Sequence, residues 1–187
     1  MSWLFISIDG PSGIGKSTVS ALLRSTLEGR GVPTVLTTEP SRSRLGEPAR
    51  YGTHEYRGPA SACLVAAARY RYLEREIRPA VRAGHVVICD RYVPSSLVLQ
   101  RLDGADRSFL WAINQAADRP DLAVILTGDP ARSRRRAAGR GTYSRFQRGG
   151  LRLAVKENRL FLTVARGLCA AGRCFITMSG GTHLSRW

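Results

Sequence analysis

Short, almost uninterrupted apolar runs alternate along this chain with longer helical segments. Runs at 3–8, 34–37, 86–89, 122–126 and 174–177 read as strands. The stretches 17–29, 60–83, 94–102, 107–117, 130–138 and 151–171 read as helices, with Gly29-Arg30-Gly31 and Ala83-Gly84 as two of their ends. Strand and helix in alternation predict an α/β fold, a parallel sheet flanked by helices. Residues 41–59 are rich in Gly, Pro and Arg and read as a loop, and 139–150 reads as a mobile flap. There are no internal repeats, and 187 residues fit one domain spanning 1–187.

Between the first strand and the first helix lies Gly10-Pro11-Ser12-Gly13-Ile14-Gly15-Lys16-Ser17, the pattern G-x-x-x-x-G-K-S. Its glycines let consecutive backbone N–H groups turn inward around a polyphosphate at the positive end of a helix. Lys16 would reach the donor's β- and γ-phosphates, and Ser17 would offer its hydroxyl to Mg²⁺. Gly10, Ser12, Gly13, Gly15, Lys16, Ser17 and Thr18 are therefore the candidate nucleotide-binding residues, with ATP and Mg²⁺ as the ligands. A Gly-rich turn that merely joins strand to helix would explain neither Lys16 nor Ser17.

Composition changes the picture in one respect. The net charge is +15, carried by 27 Arg against 2 Lys. Most of this reads as arginine on solvated helix faces, although a basic chain also binds nucleic acid non-specifically through phosphates. No motif for specific nucleic-acid recognition accompanies it. One cluster is denser: Arg132, Arg134, Arg135, Arg136, Arg140, Arg145 and Arg148. It marks an Arg-rich lid at about 132–150, able to neutralise charge on a transferring phosphoryl group. Cys63, Cys89, Cys169 and Cys174 show no C-x-x-C spacing and read as reduced thiols of a cytoplasmic protein. The three histidines are scattered. No run is long enough to span a membrane, and the first apolar stretch leads straight into the glycine loop, unlike a secretory leader.

In an open α/β sheet, ligands bind beyond the carboxyl ends of the strands. Glu39 and Asp90-Arg91 fall there, beside the glycine loop. Asp90 can orient Mg²⁺ or its waters, and Arg91 can grip a second phosphate; the bland alternative is a salt bridge capping the strand. Arg69 lies mid-helix, a position more often taken by a surface arginine. No general base stands out, and none is required if the acceptor is itself a phosphate.

The order of these motifs resembles thymidylate kinases over nearly the whole chain. The resemblance runs through Phe5-Ile6-Ser7-Ile8-Asp9-Gly10, the loop, Thr37-Thr38-Glu39-Pro40 and Leu45-Gly46-Glu47. It continues in Ala67-Ala68-Arg69, Glu74, Ile77-Arg78-Pro79, Asp90-Arg91-Tyr92, Ser95, Gln100 and Pro120-Asp121-Leu122. Arg136, Gly141 and Arg145-Phe146 match the lid. It implies a P-loop kinase fold with a five-stranded parallel sheet, a homodimer, ATP·Mg²⁺ as donor and a nucleoside monophosphate as acceptor. It implies that Lys16 and Ser17 hold the donor phosphates and metal, that Arg91 binds the acceptor's phosphate, and that Arg69 contacts a pyrimidine base. It places Ser96 at the base edge, Gln100 beside the nucleoside, and Arg140 and Arg145 in a lid over ATP.

Departures from that pattern gather at the acceptor side. Val65 stands where the family stacks the base on Phe, and Leu99 where it has Tyr beside the sugar. Thr38 replaces an Arg, Ser12 replaces a loop acid, Ser144 and Gln147 replace lid acids, and Thr127 replaces an Asp after the fourth strand. Trp187 comes where the resemblance implies a further helix. The expected activity is phosphoryl transfer from ATP to a nucleoside monophosphate, dTMP first, with another nucleotide or a specialised-metabolite phosphate as the alternative acceptor. The rivals are a nucleoside kinase acting on a hydroxyl and a non-catalytic nucleotide- or nucleic-acid-binding P-loop protein.

Overall fold

A computed structural model describes residues 4–139, 146, 150–170 and 177–178. Five parallel strands form one sheet: β1 (Phe5–Asp9), β2 (Thr34–Thr38), β3 (Val86–Asp90), β4 (Leu122–Leu126) and β5 (Thr177–Met178), in the order β2-β3-β1-β4-β5. Register is set by pairs such as Ile6 with Ile88 and Ile6 with Leu122. Every residue of β1 is buried, because the sheet is covered on both faces and the strand lies at its centre.

The pleat sends alternate residues to opposite layers. Ile6, Ile8, Ile88, Val124 and Leu126 pack under Val19, Leu23 and Leu27 of α1 (Lys16–Glu28). Phe5, Val87 and Cys89 face the other way, onto Tyr72, Leu73, Ile77 and Tyr92. On that side Ala123 and Ile125 meet Val98 of α5 (Val93–Leu102) and Phe161, Ala165 and Leu168 of α8 (Leu151–Ala170). The chain leaves β1 toward β2 on one side, and β4 lies on the other. The carboxyl end of β1 is thus a topological switch point, and the glycine loop sits there.

Three expectations need correction. The helix expected at 60–83 is α3 (Gly58–Tyr72) followed by one wide π turn (Leu73–Ile77) and α4 (Arg78–Arg82). Pro79 explains the break: it has no N–H to give the preceding turn, and its ring crowds that turn's carbonyl. The expected loop 41–59 contains α2 (Gly46–Tyr51) and a short 3₁₀ turn (Gly52–His54). Pro48 is tolerated in that first turn, so the Gly and Pro content concealed a helix rather than excluding one. The helix from Arg107 ends early, as α6 (Arg107–Ala112), because the Asn114 amide donates to the Leu110 carbonyl at 2.8 Å and competes with the backbone. The remaining helix, α7 (Pro130–Ala138), lies as expected. Of the last expected strand, 174–176 lie outside the described residues. Among the described residues no helix is long and apolar enough to cross a membrane.

Candidate active site

The glycine loop owes its shape to backbone that other residues rarely adopt. Gly10 and Gly13 have φ of 143° and 77°. A Cβ on Gly10 would lie 2.4 Å from the Leu126 carbonyl oxygen, and one on Gly13 would lie 2.0 Å from that of Ser133. The loop is therefore wedged between β4 and α7, where only glycine fits. Gly15 opens α1, with Lys16 as the first helical residue. The Lys16 ammonium donates to the carbonyls of Gly10 at 2.9 Å and Pro11 at 2.8 Å. Burial, and then the Arg91 charge, lower its pKa to about 7 against the pull of Asp90, Glu157 and Asp9. An anion bound in the loop would restore its charge.

The fold brings Ser17 and Asp90 together. The Ser17 hydroxyl donates to Asp90 Oδ2 at 2.6 Å, while Asp90 Oδ1 is buried without a partner. One hydroxyl and one carboxylate beside a phosphate cradle suit Mg²⁺, which takes few protein ligands and keeps phosphate and water as the rest. Among the described residues no cluster of three or more His, Cys, Asp and Glu is poised for a metal ion. Thr18 lies exposed in the first turn of α1 and does not line the cavity described below.

Among the described residues Arg91 is the non-glycine residue with a positive φ, at 76°. Its N–H donates to the Ile8 carbonyl at 2.9 Å, continuing the sheet ladder one residue past β3, and this fixes the turn. The Nη1 of its guanidinium is buried without a partner. A phosphate oxygen is what such a group lacks.

Arg69 is no surface arginine. It is 2% exposed, and each of its three nitrogens is engaged. Nε donates to Glu39 Oε2 at 2.7 Å, Nη2 to Ser96 Oγ at 2.8 Å, and Nη1 to Asn114 Oδ1. The guanidinium also lies 5.1 Å over the Tyr92 ring. Burial pushes the Glu39 carboxyl up to about 7, against the opposing pull of Arg69. Glu39 Oε1 and Gln100 Oε1 remain buried without partners.

One cavity of about 270 Å³ joins these groups. Ser12, Gly13, Gly15, Lys16, Ser17, Asp90 and Arg91 line one end; Glu39, Val65, Arg69, Ser96, Leu99 and Gln100 line the other. Phe146 also borders it. Arg140 and Arg145 lie outside the described residues. Three residues that sequence reasoning passed over shape the site. Asn114 holds Arg69 from the turn after α6. Asp9 Oδ1 accepts Tyr92 N–H at 2.9 Å, Ser95 N–H at 3.0 Å and Ser95 Oγ–H at 2.6 Å, capping α5 from β1. Glu157 accepts Ser12 N–H at 3.1 Å from α8. Only Asp9, at a strand's end beside the loop, carried a local signal.

A chamber with a phosphate cradle at one end and a buried arginine at the other is what a kinase with a phosphorylated acceptor needs. The family model for thymidylate kinase matches residues 8–165. The chain belongs to the thymidylate kinase family. It is similar to a probable thymidylate kinase of Pyrococcus horikoshii, 38% identical over 171 residues that cover 87% of this chain and 83% of that one. It is similar to the thymidylate kinase of Clavibacter sepedonicus, 38% identical over 189 residues and 89% of each chain. Its fold is similar to the crystal structure of thymidylate kinase from Ehrlichia chaffeensis, with a TM-score of 0.73 at 23% identity over 94% of this chain and 90% of that one. As a member of the family, the chain is an enzyme of the nucleoside monophosphate kinase class.

Proposed function

We propose that this thymidylate kinase family member transfers the γ-phosphoryl group of Mg·ATP to the phosphate of dTMP, releasing ADP and dTDP. The observation that carries the reading is the single cavity running from Lys16 and Ser17 past Arg91 to Arg69. ATP supplies the phosphoryl group, whose charge a bound Mg²⁺ would neutralise. Gly10, Ser12, Gly13 and Gly15 shape the loop that Lys16 and Ser17 close around the donor phosphates, and Thr18 follows in the first turn of α1. Ser17 and Asp90 hold the metal. Arg91, with its free Nη1, binds the acceptor phosphate in line with the donor.

The base end is held by a braced arginine. Glu39, Ser96 and Asn114 fix the Arg69 guanidinium in one orientation, so the acceptor meets a preorganised edge rather than a flexible side chain. Gln100 and Leu99 flank the sugar, and Val65 gives the base an aliphatic wall. No general base is needed, because an acceptor phosphate oxygen is already a nucleophile. Arg140 and Arg145 close over ATP, two copies of the chain form a homodimer, and the enzyme works in the cytoplasm.

The test is product identity. ³¹P NMR of enzyme with Mg·ATP and dTMP will show the two phosphorus signals of dTDP growing with those of ADP. ATP consumption with no diphosphate formed from dTMP would refute the assignment.

A further inference from the structure

Helix α8 buries one face against the sheet through Phe161, Ala165 and Leu168. Four residues before Phe161 the same face carries Glu157, which is 5% exposed. A carboxylate on an otherwise apolar stripe is costly unless something compensates it. Its compensation comes from the phosphate loop: Oε1 accepts the Ser12 N–H at 3.1 Å, across 145 residues of sequence. The next loop residue, Gly13, abuts the Ser133 carbonyl and the Ala137 N–H of α7. Two consecutive loop residues are thus seated on two different helices, Gly13 by close packing on α7 and Ser12 by a hydrogen bond to α8. Ser12 is also where the family resemblance leads one to expect an acid within the loop itself. Here a carboxylate reaches that residue from another element.

We infer that Glu157 is a positioning residue of the donor site, holding the phosphate loop in its binding shape through the Ser12 N–H. It does not line the cavity; beside the pull of its charge on Lys16, it acts through the loop. The argument is geometric. The loop makes its phosphate-facing N–H groups converge only while its first half keeps its turn, and the other hydrogen bonds of residues 11–14 are local ones. Ile14 N–H bonds back to the Pro11 carbonyl at 3.3 Å and Lys16 Nζ donates to the same carbonyl at 2.8 Å, both local bonds, while the Ile14 side chain packs on the core beneath α1; the Ser12–Glu157 bond is the hydrogen bond that ties this half of the loop to a distant element. Burial raises the pKa of the Glu157 carboxyl, and the charges of Arg91 and Lys16 together with the Ser12 bond act against that rise.

The inference rests on the kinase reading for its purpose but is tested without turnover. Full-length wild type, Glu157→Gln and Glu157→Val are compared for Mg·ATP affinity by calorimetry and for the Ser12 amide by ¹H–¹⁵N NMR, with melting curves as the check on folding. Glutamine keeps an acceptor oxygen, while valine removes it without leaving a large void. The expected ranking is wild type, then Gln within about threefold, then Val weaker by about tenfold, the range of one hydrogen bond to a charged group. The Ser12 amide moves upfield and exchanges faster in Glu157→Val, and Gln restores most of its protection. With acceptor present, KM for ATP rises in Glu157→Val while KM for the acceptor does not. Equal Mg·ATP affinity in wild type and Glu157→Val would overturn the inference, as would a Gln variant as weak as Val. Should wild type bind Mg·ATP with this dependence yet transfer nothing to dTMP, the acceptor assignment falls and the role of Glu157 stands.

Discussion

Arg69 Nε and Glu39 Oε2 meet at 2.7 Å with side chains only 1% and 3% exposed. The pair joins α3 to the end of β2, and it forms the floor of the acceptor end of the cavity. A buried pair of this kind contributes little net stability, but removing one partner strands the other's charge. Arg69→Ala should therefore lower unfolding free energy by about 3–5 kcal/mol. Adding Glu39→Gln to it should recover part of that loss. In enzyme that remains folded, KM for the acceptor should rise at least tenfold and KM for ATP less than about threefold. Equal effects on the two substrates would remove Arg69 from the acceptor end.

Glu39 sets a pH dependence whose sign follows from its raised pKa. An unfolded glutamate titrates near 4.5, whereas Glu39 in the folded chain titrates at about 7. Between those values the unfolded chain has released a proton that the folded chain still holds. Stability from this group is fully present below about pH 4.5 and declines as pH rises to about 7, by roughly 1 kcal/mol per pH unit. Subtracting the unfolding free energies of Glu39→Gln from those of wild type, measured from pH 4 to 8, should give a falling curve that flattens above 7. A rising difference would mean that Arg69 outweighs burial.

Lys16 separates catalysis from folding. Its ammonium is buried, and burial lowers its pKa to about 7, so it strains the folded state at neutral pH. Lys16→Met should lower kcat by at least about 10²-fold, the scale of losing one charge-stabilising donor, without lowering the melting temperature. Near-normal turnover would refute the phosphate-loop mechanism. A large drop in melting temperature would instead make Lys16 a structural cation of the loop.

Gly13 tests the wedge between loop and helix. Gly13→Ala places a methyl 2.0 Å from the Ser133 carbonyl at a φ of 77°, and backbone on both sides must move. Mg·ATP binding should fall more than tenfold while dTMP binding changes little. Gly15→Ala meets no such neighbour, so its cost comes from its own φ of 115° alone, with no displacement of α7.

What the sequence made legible follows from the range of the interactions involved. The phosphate loop, Asp90-Arg91 and the first four strands are local patterns, and each lies within a residue or two of its expected place; the fifth strand is described only at Thr177–Met178. The π turn before Pro79 and the short helix Gly46–Tyr51 were hidden because Gly and Pro report local backbone cost, not the packing that overrides it. Arg69 was the sharpest contrast. Its helical position suggested solvent, yet its four partners come from three other parts of the chain: Glu39 after β2, Tyr92 and Ser96 at the start of α5, and Asn114. Asn114 and Glu157 left no signal for the same reason: each becomes functional only when the fold brings it to a residue 45 or 145 positions away.

ADP release from Mg·ATP with dTMP, dUMP, UMP, CMP, dCMP, GMP, AMP and sugar phosphates as acceptors tests the central claim most directly. The account predicts that kcat/KM is highest for dTMP, and that Lys16→Met abolishes the signal with every acceptor. Higher kcat/KM on another acceptor would contradict it, and would mean that Val65 and Leu99 have turned the pocket to a different substrate.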